Sequence, residues 1–197
     1  MTYKKERGMG MELKIPENFF VGAAMSGPQT EGAYKTGGRL ESIWDTWSDL
    51  SISDFYNKVG SYVGNNFYEK YEDDIKLLKS LHMDSFRTSM QWSRLLTKDG
   101  KLNQEGAQFY HKVCKCAKEN QIELFMNLYH FDMPTYLFER GGWESRDVVE
   151  AYAAYARAAF REFGSEIRYW FTFNEPIVEP DQRYRNGFWY PFIKDAK

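Results

Sequence analysis

Cysteine, histidine and proline are scarce in this sequence, with 2, 3 and 6 residues among 197. The two cysteines, Cys114 and Cys116, stand two positions apart within a helical pattern. That spacing points them to different faces of one helix, which excludes a disulfide between them and joint ligation of a metal. The three histidines, His82, His111 and His130, fall on separate predicted elements without ligand spacing, so no metal and no other cofactor is expected. Charge of either sign is not in excess: 26 Lys and Arg against 28 Asp and Glu leave a net charge of −2. Such a balance gives no electrostatic footprint for nucleic acid or for an anionic membrane. No apolar run approaches the roughly 18 residues that a membrane span needs. The first ten residues are polar and basic with no apolar segment behind them, so no secretory signal is expected and a cytoplasmic location is.

What is present is a globular composition, 43% hydrophobic and 27% charged, which excludes a disordered chain. Aromatic residues reach 18%, an excess that suits a pocket for flat, half-apolar ligands such as sugars. Residues 1–15 read as a flexible lead-in and 16–197 as one domain. Short apolar strands are expected at 19–25, 85–90, 122–129 and 169–173, the third nearly all apolar, as a strand covered on both faces should be. Residues 26–65 read as one long loop. Three helices lie between the strands. The first, over 66–82, places Phe67, Tyr71, Ile75 and Leu78 on one stripe. The second follows the Asp99-Gly100 turn, begins at Asn103 and carries Tyr110, Val113, Cys114 and Ala117. The third begins at Ser145, carries Val149, Tyr152, Ala156, Ala159 and Phe163, and ends with Gly164 at C′.

Strand–helix alternation predicts an α/β fold with a parallel sheet and right-handed crossovers. A dinucleotide-binding fold is disfavoured, because Gly22-Ala23-Ala24-Met25-Ser26-Gly27 is no G-x-G-x-x-G and no helix is expected behind it. Nor is there a G-x-S-x-G to carry a serine nucleophile. A (β/α)8 barrel fits, yet that fold needs eight strands and typically about 250 residues. Four βα units therefore read as the N-terminal half of such a barrel.

Barrel chemistry sits at the C-terminal ends of strands. Those ends carry Gln29, Arg87, His130 with Asp132, and Asn174 with Glu175. Amides and an imidazole can hydrogen-bond hydroxyls while aromatic faces stack on sugar C–H surfaces, so this set suits a polyhydroxylated ligand. Asp132 and Glu31 read as supporting groups, and Trp44, Trp47, Trp143 and Trp170 as packing.

Thr172-Phe173-Asn174-Glu175-Pro176 resembles the T-F-N-E-P block of family 1 glycoside hydrolases, which holds their acid/base. Other blocks resemble the same family in the same order. They are Phe20-Val21-Gly22-Ala23-Ala24 with Gln29-Thr30-Glu31-Gly32-Ala33, Phe86-Arg87-Thr88-Ser89 with Trp92-Ser93-Arg94, and Asn127-Leu128-Tyr129-His130-Phe131-Asp132-Met133-Pro134, followed by the Gly141-Gly142-Trp143-Glu144 turn. The resemblance implies a retaining β-glycosidase on a (β/α)8 barrel. Position by position, it implies Glu175 as the catalytic acid/base and Asn174 as the ligand of the sugar 2-hydroxyl. It implies Gln29 and His130 as further substrate-binding residues, and Arg87 as the residue supporting the nucleophile. Ser26-Gly27-Pro28 and Phe131 resemble the 6-phospho-β-glucosidase branch, which implies a phosphorylated β-linked disaccharide or β-glucoside as substrate. A non-phospho β-glucosidase or β-galactosidase, and a degenerate non-catalytic sugar-binding fragment, are the alternatives.

One part of the family pattern is missing from these 197 residues. Retaining hydrolysis uses two carboxylates about 5–5.5 Å apart, and the family's T-E-N-G block, which supplies the nucleophile, does not occur here. The expectation is a chain that is inactive by itself and that self-associates through the exposed edges and inner face of a half barrel.

Overall fold

The computed structural model describes residues 14–195, so most of the lead-in expected over 1–15 lies outside the described residues. Strand β1 (Gly22–Ala24) leads into a single helical turn, α1 (Gly27–Thr30), and then α2 (Ile43–Leu50). Two 3-10 turns, Ile52–Asp54 and Tyr56–Lys58, precede α3 (Phe67–Ser80). Strand β2 (Ser85–Ser89) is followed by α4 (Trp92–Leu95) and α5 (Gln104–Glu119), and β3 (Glu123–Asn127) by α6 (Thr135–Phe138) and α7 (Arg146–Phe163). Strand β4 (Tyr169–Phe171) and a π-type helix, Pro180–Arg185, complete the order. The strands form one parallel sheet in the order β1-β2-β3-β4, the layout of consecutive βα units in a barrel wall.

Period-2 alternation decides what each strand shows to each face. Phe86 in β2 turns outward against Phe67 of α3, with ring centroids 5.9 Å apart, and Trp170 in β4 turns outward against Phe160 of α7 at 5.0 Å. Register then turns Arg87, Phe125 and Tyr169 to the inner face, where the Phe125 and Tyr169 rings stack at 4.6 Å. That face is covered incompletely: Phe20 and Phe171 are each 43% exposed. Helices cover only the outer face, so the sheet is the N-terminal part of a barrel with its interior side open.

Three expectations need correction. Residues 26–65 are not one loop, because α1, α2 and two 3-10 turns lie within them. Helix α2 begins at Ser42, whose N–H donates to Asp45 Oδ2 at 2.8 Å, and Arg39 Nη1 binds the same oxygen at 2.7 Å. Arg39, three residues before the N-cap, thus adds a cation to a capping box that Ser42 and Asp45 already form. In α7 the buried stripe is Val148, Tyr152, Tyr155, Ala159 and Phe163, rotated from the expected one. Tyr155 replaces Ala156 because its hydroxyl reaches Leu128 O at 2.9 Å and Met90 O at 3.2 Å, satisfying two strand-end carbonyls while its ring stacks on Trp92. Gly164 is the C-cap of α7 in right-handed conformation (φ −63°), so no left-handed cap ends that helix.

Smaller differences follow the same logic. The first long helix stops at Ser80, and His82 lies beyond it at φ +60°, outside the stripe. Asn103 does occupy the N-cap of α5, but its amide Nδ2 donates to Gly37 O and Arg94 O at 2.6 and 2.9 Å instead of capping the helix. Both cysteines are buried, and burial raises both thiol pKa values, Cys114 to about 12.

Candidate active site

Each expected site residue stands at a C-terminal strand end or in the turn that follows. Arg87 is on β2, and its Nη2 donates to Asn174 Oδ1 at 2.7 Å. Asn174 Nδ2 in turn lies 3.4 Å from Glu175 Oε2. Asn174 is fixed by its own backbone, whose N–H donates to Tyr129 O at 2.9 Å, extending the β3–β4 pairing beyond the strand. Glu175 follows in a left-handed conformation, φ +42°, with its side chain exposed. A non-glycine residue held there stores of order 1 kcal/mol, which the surrounding fold must supply.

On the other side, Gln29 and His130 line one cleft of about 260 Å³ with Trp44, Phe55 and Phe131. Gln29 Oε1 accepts from Ser26 Oγ at 2.6 Å, which leaves its amide NH2 for a ligand. His130 Nδ1 faces the Asn127 amide nitrogen at 3.5 Å, a contact that suits an acceptor Nδ1 and a proton on Nε2. Burial, and then the positive charge of Arg87, push the His130 pKa down to about 4. Its neutral imidazole is therefore a hydrogen-bonding group near pH 7, not a cation. Four of these residues form one chain, since His130 feels the charge of Arg87, Arg87 binds Asn174 and Asn174 touches Glu175, and Gln29 joins them through the cleft it shares with His130.

Two buried carboxylates hold the loops that present this set. Asp132 accepts from the backbone N–H of Trp92 at 2.9 Å and of His130 at 3.1 Å, tying the loop after β2 to the loop after β3. Burial raises its pKa to about 7, and those two backbone donors act against the rise. Glu31 accepts from Gln91 Nε2 at 2.6 Å, Arg94 Nε at 2.7 Å and Tyr110 Oη at 2.9 Å. Arg94 also reaches the carbonyls of Gly32 and Thr36, at 3.1 and 3.3 Å, and so ties down the segment just after Gln29.

Sequence reasoning missed Asn127, although it ends β3 on the inner face within a block already singled out. It also treated Trp44 as packing alone. Trp44 does stack on Trp47, with centroids 5.3 Å apart, but it lines the Gln29–His130 cleft as well. A larger cavity, about 790 Å³, lies at the opposite end of the sheet around Asp84, Ile122 and Glu123. In barrels that N-terminal end serves stability, so size does not make it the site. Among the described residues no cluster of His, Cys, Asp and Glu has the geometry to hold a metal, and no helix is long and apolar enough to cross a membrane.

The model of "Glycosyl hydrolase family 1" matches residues 11–197. The 6-phospho-beta-glucosidase GmuD of Bacillus subtilis (strain 168) is 42% identical over 187 residues, covering 94% of this chain and 40% of that one. Beta-glucosidase 9 of Arabidopsis thaliana is 39% identical, covering 88% of this chain and 34% of that protein. Among solved structures, the family 1 β-glucosidase of Thermotoga maritima superposes with a TM-score of 0.87 at 32% identity, covering 92% of this chain and 41% of the other. The chain thus spans about two fifths of the length of the relatives it matches. With the match running through all four βα units and through the Arg87–Asn174–Glu175 set, the chain belongs to glycosyl hydrolase family 1.

Proposed function

We propose that the whole protein is a retaining β-glycosidase in which Glu175 is the acid/base. The observation that carries this reading is the hydrogen-bonded run Arg87–Asn174–Glu175 beside a cleft offering Gln29 and His130. Glu175 protonates the glycosidic oxygen as the bond breaks and later takes the proton of the attacking water. Asn174, its Oδ1 engaged by Arg87, directs its amide NH2 at the sugar 2-hydroxyl, a contact that strengthens in the oxocarbenium-like transition state. Gln29 and the neutral His130 hold further hydroxyls. The guanidinium of Arg87, partly free, stabilises the ionised nucleophile that the reaction requires.

The preferred substrate in this reading is a 6-phospho-β-glucoside, split in the cytoplasm. Supporting it are Phe131 beside His130, the Ser26-Gly27-Pro28 turn and the 42% identity to a 6-phospho-beta-glucosidase. Relatives named β-glucosidases, at 36–41% identity, support an unphosphorylated substrate as the second reading. Rates of the whole protein on 4-nitrophenyl β-glucoside and on its 6-phosphate decide between them. A higher kcat/KM on the phosphate is expected, and the reverse ranking overturns the phosphate assignment. The 197 residues alone, with one carboxylate of the pair and an open inner face, are inactive and self-associate in this reading. A compact monomer on size exclusion overturns the self-association.

A further inference from the structure

The left-handed backbone of Glu175 needs an anchor on each side of it. Upstream, Asn174 is pinned to Tyr129 O. Downstream, Pro176 and Ile177 are exposed, and the chain dives inward again at Glu179. Glu179 is 3% exposed and Arg183 0%, and they form an ion pair at 2.7 Å. Each end of that pair holds a different loop. Glu179 Oε2 accepts from Trp143 Nε1 at 3.1 Å. Arg183 donates to Phe131 O at 3.5 Å and to Tyr190 O, and its guanidinium lies 5.7 Å from the Trp44 ring and 5.4 Å from the Trp189 ring. The loops after β1, β3 and β4 therefore meet at one buried pair.

We propose that Glu179 and Arg183 are positioning residues for the acid/base, resting on the assignment of Glu175 given above. A buried ion pair is a weak source of stability, but a broken one is costly, so it fixes geometry more than it adds free energy. Here the geometry it fixes is the far end of the segment whose middle is Glu175. The turn between is short: Val178 N–H donates to Glu175 O at 2.9 Å, and Asp181 N–H to Ile177 O at 3.1 Å. Loosening Glu179 releases that turn and lets Glu175 leave its left-handed conformation, which withdraws the carboxyl from the glycosidic oxygen. Arg183→Met in the whole protein removes the pair's cation, Glu179→Gln neutralises its anion in nearly the same shape, and Arg183→Lys keeps charge without the planar fork.

Leaving groups separate a positioning role from a merely structural one. A phenolate of high pKa needs proton donation to depart, whereas 2,4-dinitrophenolate does not. Arg183→Met and Glu179→Gln are expected to lower kcat/KM at least 30-fold on a phenyl glycoside and less than 3-fold on the dinitrophenyl glycoside, with Arg183→Lys between. Equal losses on both substrates, or none on either, overturn the proposal. If Arg183→Met does not fold, Glu179→Gln carries the comparison. If the unmutated protein cleaves neither glycoside, whether or not the sugar carries a 6-phosphate, the glycosidase reading has failed, and hydrogen exchange then decides the positioning role by itself. Exchange at the Val178 amide at least 10-fold faster in the variants, with β3 unchanged, supports the clamp, and unchanged exchange there refutes it.

Discussion

Replacing Arg94 with methionine tests whether the Glu31–Arg94 pair holds the first loop of the site. Arg94 is fully buried, bonds Glu31 at 2.7 Å, reaches the carbonyls of Gly32 and Thr36, and lies 4.5 Å from the Tyr68 ring. Burial works against its charge, yet the charge of Glu31 keeps the guanidinium pKa above its usual value. Removing one partner of such a pair costs about 3–5 kcal/mol. Glu31 would retain Gln91 and Tyr110 as donors, so the lower end, about 3 kcal/mol, applies to Arg94→Met. Glu31→Leu strands a buried guanidinium and should cost about 4 kcal/mol. The double variant leaves no buried charge there, and its cost should fall below the sum of the single ones by about 2–3 kcal/mol. Urea midpoints of the whole protein, read by circular dichroism with one common m-value, give the cycle. Additivity within about 0.5 kcal/mol would mean that the two charges do not depend on each other, and the reasoning would be refuted.

Glu175→Gln should lower kcat about 10²–10⁴-fold in the whole protein and leave its melting temperature unchanged, because the side chain is exposed; retained turnover on a phenyl glycoside removes Glu175 from the chemistry. Gly32→Ala should destabilise by about 2–3 kcal/mol, since Gly32 sits at φ +63° and an added Cβ would meet Val63 O at 2.0 Å; an unchanged melt refutes it. Two site groups tilt stability with pH in opposite senses. His130 is depressed to about 4, so between pH 4 and 6.5 the unfolded chain binds the extra proton and stability rises with pH. Asp132 is raised to about 7, so between pH 4 and 7 the folded chain binds the extra proton and stability falls with pH. His130→Gln should unmask the Asp132 slope, and a melting temperature that still rises from pH 4.5 to 6.5 in that variant contradicts this account.

Much of the site was legible because its residues cluster in short blocks at predictable strand ends. Arg87, His130, Asn174 and Glu175 could be placed once the strands had been read, and β2 and β3 came out within a few residues of their real bounds. Residues 26–65 were misread because aromatic and glycine-rich sequence carries no steady period. Helix α2 is stabilised by Arg39 on Asp45 and by aromatic neighbours as distant as Trp189. The stripe of α7 was misjudged for a related reason: counting apolar residues cannot weigh a tyrosine hydroxyl that satisfies carbonyls at the ends of two other strands.

The sequence by itself determined the alternation of four strands with the long helices α3, α5 and α7, from which a parallel sheet follows, because that alternation rests on local apolar pattern. Glu175 stood out through the resemblance of its block to a family motif. Tertiary structure alone decided which groups share a field or a bond. It lowered the His130 pKa through burial and Arg87, joined Arg87 to Asn174 across 87 positions and Glu31 to Arg94 across 63. It also joined Glu179 and Arg183 in a buried ion pair a few residues beyond Glu175. Electrostatic and hydrogen-bond energies depend on distances in space and on exclusion of water. Neither is written along the chain until the sheet has formed and its loops have met above it.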